Sequence, residues 1–215
     1  AGLSQLMGLS ETLGQLNAER YAAWVEQPDA QHARPAALAF NGDVYEGLRA
    51  DQLSDAQLLW AQDHLAILSG LYGVLHPLDL IQPYRLEMGT RLQTPRGANL
   101  YAYWGERIAA ELNRRLDGLG DERILLNLAS NEYFKAVDRS VLRARLVECV
   151  FQDDSKGVWK VISFYAKRAR GLMARYVIDH AVDGPDGLRD FSVDGYRYAP
   201  KASTPDRLVF RRKRA

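Results

Sequence analysis

Arg145-Leu-Val-Glu-Cys-Val-Phe151, the polar Asp153-Asp-Ser-Lys-Gly157, Val158-Trp-Lys-Val-Ile-Ser-Phe164 and the segment Tyr165–His180 decide the fold. The two apolar pieces around the polar one are rich in β-branched and aromatic residues. They predict a hairpin with a longer loop. In 165–180 the period changes. Ala169, Leu172, Met173, Tyr176 and Val177 gather on one side at about 100° per residue, which predicts a helix. Strands running into a helix point to a mixed α/β architecture.

The neighbouring segments extend the pattern. Ile124–Leu128 reads as a buried strand, and Ser130 as the cap of a short helix through Lys135. Asn99 is placed to cap a helix to about Leu116, ended by Gly118 and Gly120. Residues 73–98 read as a long loop with one extended piece at Tyr84–Met88. Leu65–Leu68 is a short strand ended by Ser69-Gly70. Ser54-Asp-Ala-Gln57 is a capping box opening a helix to about His64. Ala36–Phe40 is an apolar run read as a strand closing on Asn41-Gly-Asp43.

At the start, Leu3, Leu6, Leu9, Leu13 and Leu16 recur at helical spacing, but Gly8 and Gly14 interrupt them. This predicts two short helices around a tight turn at Gly8–Ser10, then a helix from Asn17 to Glu26. Arg207–Phe210 reads as a last edge strand, leading into a basic tail over 207–215. Helices and strands alternate without a linker. The expectation is one mixed α/β domain over 1–215, with a central sheet and flanking helices. The sequence opens at Ala1 without an initiator Met, as a piece of a longer chain would.

Of 215 residues, 47% are hydrophobic and 26% charged, which excludes a disordered or collagen-like chain. One cysteine, Cys149, excludes a disulfide scaffold and a thiolate metal centre within the chain. No stretch reaches the roughly 18 apolar residues of a membrane span, and no signal peptide is visible. A cytoplasmic location follows as the expectation. His32, His64, His76 and His180 are scattered, so spacing predicts no metal site. No phosphate-cradling glycine loop is present, and no cofactor is expected. The oligomeric state is not written in the sequence.

Charge is unevenly spread. Residues 151–215 hold 14 Lys and Arg against 8 Asp and Glu; the remainder holds 14 against 19. A basic C-terminal third suits an anionic partner such as nucleic acid or a phosphorylated ligand. Lys167, Arg168, Arg170 and Arg175 lie broadly opposite the apolar side of the 165–180 helix. Gly171 stands among them, where close approach of another backbone or a phosphate would explain it. Arg211, Arg212, Lys213 and Arg214 add a basic tail, expected to be mobile.

Three strand candidates end alike, in small or polar residues and then a Tyr: Tyr45, Tyr72 and Tyr133. In open α/β sheets ligands sit beyond the carboxyl ends of strands. Asp43, Tyr45, Tyr72, Asn127, Ser130, Glu132 and Tyr133 are therefore candidates for one crevice, with Tyr rings able to stack on a base. In Pro83-Tyr-Arg-Leu-Glu-Met88, alternation puts Arg85 and Glu87 on one side.

Several of these stretches carry a resemblance. Phe40-Asn-Gly-Asp-Val-Tyr45, Leu68-Ser-Gly-Leu-Tyr-Gly73 with Pro77-Leu-Asp79, and Pro83-Tyr-Arg-Leu-Glu-Met-Gly89 resemble the YaaA family of bacterial peroxide stress proteins. So do Asn127-Leu-Ala-Ser130 with Glu132-Tyr-Phe-Lys135, and Ile162-Ser-Phe164 with Ala166-Lys-Arg-Ala-Arg-Gly-Leu-Met173. The resemblance implies a cytoplasmic protein induced by peroxide that keeps free iron low and limits oxidative DNA damage. It implies double-stranded DNA binding through a helix-hairpin-helix element and a positive cleft, on a single α/β domain of unusual topology. That element would fall at 3–16. Its usual Gly-hydrophobic-Gly turn is here Gly8-Leu9-Ser10. The family's opening strand and Ser-Pro-Ala-Lys segment find no match; if that segment lines the cleft, part of the site is expected to be missing. His76 stands where an Arg is usual, which weakens one cationic contact or makes it pH-dependent.

Two functions are weighed. In the first, the chain binds double-stranded DNA through Gly8, Ser10, Lys167, Arg168, Arg170 and Arg175, without reading sequence. In the second, it is an enzyme on a nucleobase or nucleotide. A crevice of Asp43, Tyr72, Arg85, Glu87, Glu132, Lys135 and Lys167, flanked by Tyr45, Tyr84, Asn127, Ser130 and Tyr133, would then place a buried Glu beside a Lys. Direct iron chelation has no ligand spacing to support it.

Overall fold

The computed structural model describes residues 2–119 and 123–213. Two helices open the chain, α1 (Gly2–Met7) and α2 (Glu11–Ala22), joined by Gly8-Leu9-Ser10. Gly8 has φ +62°, the left-handed region that glycine enters without a Cβ penalty. The Ser10 hydroxyl caps α2 by accepting from Leu13 N at 3.4 Å. Gly14 does not end a helix. A Cβ there would overlap the Ser4 side chain, so α1 packs against α2 at that point. Asn17 therefore continues α2 and starts no third helix.

The run Ala36–Phe40 is not a strand. β1 (Arg34–Pro35) leads into a one-turn helix, α3 (Ala36–Ala39). Three of its four residues are Ala, the strongest helix former, and local propensity overrides the apolar run. A second short helix, α4 (Asp43–Leu48), follows. α5 (Asp55–His64) begins at the expected capping box: Ser54 N donates to Gln57 Oε1 at 2.9 Å, and Gln57 N to Ser54 Oγ at 3.3 Å. β2 (Ile67–Ser69) and β3 (Gly73–Leu75) form an antiparallel hairpin, and β4 (Leu80–Ile81) pairs with β1. Residues 85–90 alternate exposed and buried, as the period-two reading expects.

Asn99 caps α6 (Leu100–Trp104) by accepting from Ala102 N at 2.9 Å. The expected single helix is broken at Gly105, φ +51°, before α7 (Arg107–Leu116) begins. α7 stops short of Gly118; Gly120 lies outside the described residues. Then come β5 (Ile124–Asn127), α8 (Asn131–Phe134), β6 (Arg145–Ser155), β7 (Val158–Lys160), α9 (Ser163–His180), β8 (Arg197–Tyr198) and β9 (Arg207–Arg212). The fold is mixed α/β with a central sheet.

The chain forms two compact units. One comprises Ala1–Ala39, Leu65–Arg114 and Asn131–Leu142; the other comprises Phe40–His64, Arg115–Ser130 and Arg143–Ala215. The first holds the α1–α2 pair, both two-stranded sheets and α6. Its buried side chains include Ile67, Ile81, Leu86, Met88, Leu100 and Ile108.

The second is built on the sheet β5-β6-β9-β8, with β7 paired to the far end of β6. β5, β6 and β9 run parallel, while β8 and β7 are antiparallel to their partners. The hairpin is where expected, but β6 is longer: Asp153 and Asp154 are strand residues, and the turn is Lys156-Gly157. Nor is β9 an edge. It lies between β6 and β8 and carries Arg211 and Arg212 in register with Gln152 and Asp153. Two residues of the expected mobile tail are thus sheet residues; Arg214 lies outside the described ones.

α9 covers this sheet through Ala166, Ala169 and Met173, which join Val147, Phe151, Phe191, Tyr196, Leu208 and Phe210 in one core. α4 then lies against α9. A Cβ on Gly171 would overlap Val44 O, and one on Gly47 would overlap Arg168 O. Gly171 is therefore explained by a neighbouring backbone.

Ala at 171 should gain about 1 kcal/mol of helix propensity and lose more, since overpacking costs about 1–3 kcal/mol and here the obstacle is backbone. Gly171→Ala is expected to lower the urea midpoint. An unchanged or higher midpoint would contradict the contact.

Candidate functional site

In the first unit, hydroxyls and rings surround the β2–β3 hairpin. Ser69 is buried and its Oγ lies 2.5 Å from Tyr84 Oη. The same Oγ accepts from Leu71 N at 3.1 Å and Tyr72 N at 2.9 Å, closing the hairpin turn. Tyr72 Oη accepts from Gln82 N at 3.3 Å, and the Tyr72 ring stacks on Trp24 at 5.9 Å. Burial raises the pKa of Tyr84 and pushes Tyr133 up to about 12, helped for Tyr133 by the Glu132 and Glu87 charges. Both phenols stay neutral at physiological pH and serve as hydrogen-bonding groups, not bases.

Arg85 and Glu87 form an exposed ion pair at 2.8 Å, which contributes little to stability. Glu132 is exposed; its Oε1 accepts from Gly89 N at 2.8 Å. Lys135 is exposed too, its ammonium 4.9 Å from the Tyr101 ring centroid. The expected buried glutamate beside a lysine is therefore not formed by Glu132 and Lys135. Glu132 lies on one-turn α8, and its carboxylate closes a backbone contact.

Of the three segments read as strand ends, one follows a strand of the main sheet, in the second unit. β5 belongs to the main sheet and brings Asn127, whose Oδ1 accepts from Ala129 N at 3.0 Å, with Ser130 just beyond. Asp43 and Tyr45 sit on α4, where Tyr45 stacks on Phe40 at 5.3 Å. β2, which precedes Tyr72, lies in a separate two-stranded hairpin.

The basic side of α9 is mostly engaged. Arg168 Nη1 meets Asp194 Oδ2 at 2.9 Å. Arg175 Nε meets Asp179 Oδ1 at 2.7 Å, and its Nη1 donates to Arg49 O at 3.2 Å. Arg170 is half-buried, and burial lowers its pKa. Lys167 is exposed.

Beside α9 lies a cleft of about 530 Å³ lined by residues including Glu46, Phe164, Tyr165, Arg168, Asp194 and Arg212. Sequence reasoning missed the charge network that reaches this cleft through Arg212 and Asp194. Asp153 is fully buried and accepts from Tyr196 Oη at 2.8 Å and Arg212 Nε at 2.7 Å. Arg212 Nη2 lies 2.7 Å from the same carboxylate but directs no hydrogen at it. Arg212 Nη1 reaches Asp194 Oδ2 at 2.6 Å, so Asp194 joins Arg212 to Arg168. Asp194 holds φ +54°, a left-handed conformation that Asp enters more readily than most residues. An alternating Asp–Arg network spanning β6, β9 and the 193–195 turn has no sequence spacing to announce it.

Among the described residues, no three His, Cys, Asp or Glu side chains gather as a metal would require. None of the described helices is long and apolar enough to cross a membrane.

A family model described as "Peroxide stress protein YaaA" matches residues 1–202. A UPF0246 protein of Bordetella petrii is 63% identical over 211 residues, 98% of this chain and 82% of its own length. Another, of Bordetella pertussis, is 62% identical over 213 residues, 99% of this chain and 82% of its own. One of Methylibium petroleiphilum is 58% identical over 212 residues, with 99% and 82% covered.

Two expectations follow from the geometry. Arg212→Ala strands a buried carboxylate and should cost about 3–5 kcal/mol, whereas Arg168→Ala breaks an exposed pair worth at most about 1 kcal/mol. Urea unfolding of both variants separates them, and equal losses would deny the network its buried end. Cys149 is buried, and burial pushes its thiol up to about 12. It should resist alkylation and peroxide in the folded protein and react freely in urea. Mass spectrometry after iodoacetamide or peroxide reads this directly; fast labelling of the native chain would refute it.

Proposed function

The chain belongs to the peroxide stress protein YaaA family, and we propose that it binds double-stranded DNA largely without regard to sequence, as a cytoplasmic protein limiting oxidative DNA damage. The link to low free iron rests on family membership. The observation that carries the DNA reading is the α1–Gly8-Leu9-Ser10–α2 hairpin. Gly8 has φ +62°, and among the described residues beyond its chain neighbours no atom lies within 4 Å of where its Cβ would be, so this side of the turn is open to a phosphate backbone. Hairpins of this kind present backbone N–H groups and a helix N-terminus, both suited to phosphate.

Lys167, Arg168, Arg170 and Arg175 add a basic field on α9. Lys167 is its most available charge, because Arg168 and Arg175 already hold Asp194 and Asp179. Glu11 works against the hairpin: it is exposed in the first turn of α2, where a phosphate would meet its carboxylate.

The test is anisotropy of labelled duplexes of unrelated sequence, from about 50 to 200 mM salt. Affinity should fall steeply with salt and differ little between sequences. Glu11→Gln should tighten binding, and Lys167→Ala should weaken it more than Arg175→Ala. No binding at low salt, or strong dependence on sequence, would overturn the reading.

A further inference from the structure

In the first unit two guanidinium groups converge on one ring. The Arg96 guanidinium lies 5.5 Å from the Tyr103 ring centroid, and that of Arg107 lies 5.1 Å from it. Backbone geometry fixes both. Thr94 N donates to Gly97 O at 2.9 Å, and Arg96 N donates to Thr94 Oγ1 at 3.2 Å, so Arg96 rides on a tight turn. Gly97 presses that turn onto α6, where a Cβ would overlap the Ala102 side chain. The next residue is Tyr103. On the other side, the break at Gly105 folds the start of α7 back, and Arg107 donates to Tyr103 O.

Among the described residues no carboxylate pairs with either guanidinium. The acidic neighbours are Glu106, exposed and bonded to neither, and Glu111, which grips Arg114 through two bonds of 2.8 and 2.7 Å. This contrasts with α9, whose Arg168 and Arg175 are held by aspartates. Two like charges around one ring repel each other, and an anion spanning them removes that repulsion. Their positions are preset by the turn and the helix break, so little side-chain freedom is lost on binding.

We propose that Arg96 and Arg107 form a phosphate-gripping face for the backbone of nucleic acid. This deepens the DNA-binding reading and rests on it. The chemistry favours nucleic acid over an acidic protein. Guanidinium edges match phosphate oxygens in bidentate fashion. A protein partner would want an apolar anchor, and the two rings here are occupied. Tyr103 is overlaid by the guanidiniums. The Trp104 ring packs on Gly73 while its Nε1 donates to Gly70 O at 3.0 Å. What remains outward is charge without a stacking surface, so the contact should be blind to base identity.

The experiment measures duplex affinity across a salt series for the full chain, Arg96→Ala, and Arg96→Ala/Arg107→Ala. Each lost phosphate contact should lower the slope of log K against log salt by about 0.9, so the double variant falls by roughly 2. Arg96 makes no side-chain hydrogen bond, so Arg96→Ala keeps the fold and should lose about half of that. Wild-type slope in both variants, with wild-type binding intact, overturns this inference and leaves DNA binding standing elsewhere. Absence of salt-dependent binding by the unaltered chain overturns both. Poly-glutamate competing as well as duplex of equal charge would overturn the choice of nucleic acid.

Discussion

The contact between Gly47 on α4 and Gly171 on α9 constrains the second unit more than any other. At these positions there is no room for a side chain, because each would-be Cβ falls on backbone atoms of the opposite helix. Once α4 is laid there, one side of α9 is taken. The sheet takes another through Ala166, Ala169 and Met173. Only narrow flanks remain for Arg168, Arg170 and Arg175. There they meet Asp194, Asp179 and backbone carbonyls, or are half-buried. The basic side of this helix is in large part a consequence of its burial: long cationic side chains cover apolar surface while finding partners at the rim.

The same logic reaches the sheet. Asp153 closes the register between β6 and β9, opposite Arg212. A fully buried carboxylate is costly unless it is paired and hydrogen-bonded. Arg212 and the Tyr196 hydroxyl do this, and Asp194 continues the chain of charges outward to Arg168. In a buried pair the desolvation cost can match the attraction, so such a network contributes more to register than to stability. A one-residue slip of β9 would put Arg211 or Lys213 opposite Asp153 and turn the paired arginine to the other face.

Local signals were readable. The β6–β7 hairpin, the period of α9, the Ser54/Gln57 box and the Asn99 cap all depend on residues within a few positions of each other. Failures came where tertiary contact or propensity outweighed pattern. Gly14 reads as a break in the helical pattern, yet it admits the Ser4 side chain of α1; at Gly171, of the two readings, a close backbone or a phosphate, the structure shows the backbone. Ala36–Ala39 was apolar enough for a strand, but Ala prefers helix. β9 reads as an edge because it is near the end of the chain, and only its antiparallel pairing with β8 places it inside. The candidate site suffered most. Charge can be counted in a sequence, but whether an arginine is paired is a fact of three dimensions.

That distinction bears on any polyanion surface. The basic C-terminal third supplies a net positive field, and a field can attract phosphate at a distance. A grip needs cations whose hydrogen-bond edges are still open. By that measure the arginines of α9 held by aspartates rank below Arg96 and Arg107, which meet no carboxylate among the described residues. Arg96 and Arg107 are held by an aromatic ring rather than by a carboxylate. A ring holds a guanidinium through its face, so the Arg96 edge stays open and Arg107 gives up only Nη2, to Tyr103 O, whereas a carboxylate consumes the edge. Two residues that no charge run or motif marks are therefore the better prepared for an anion.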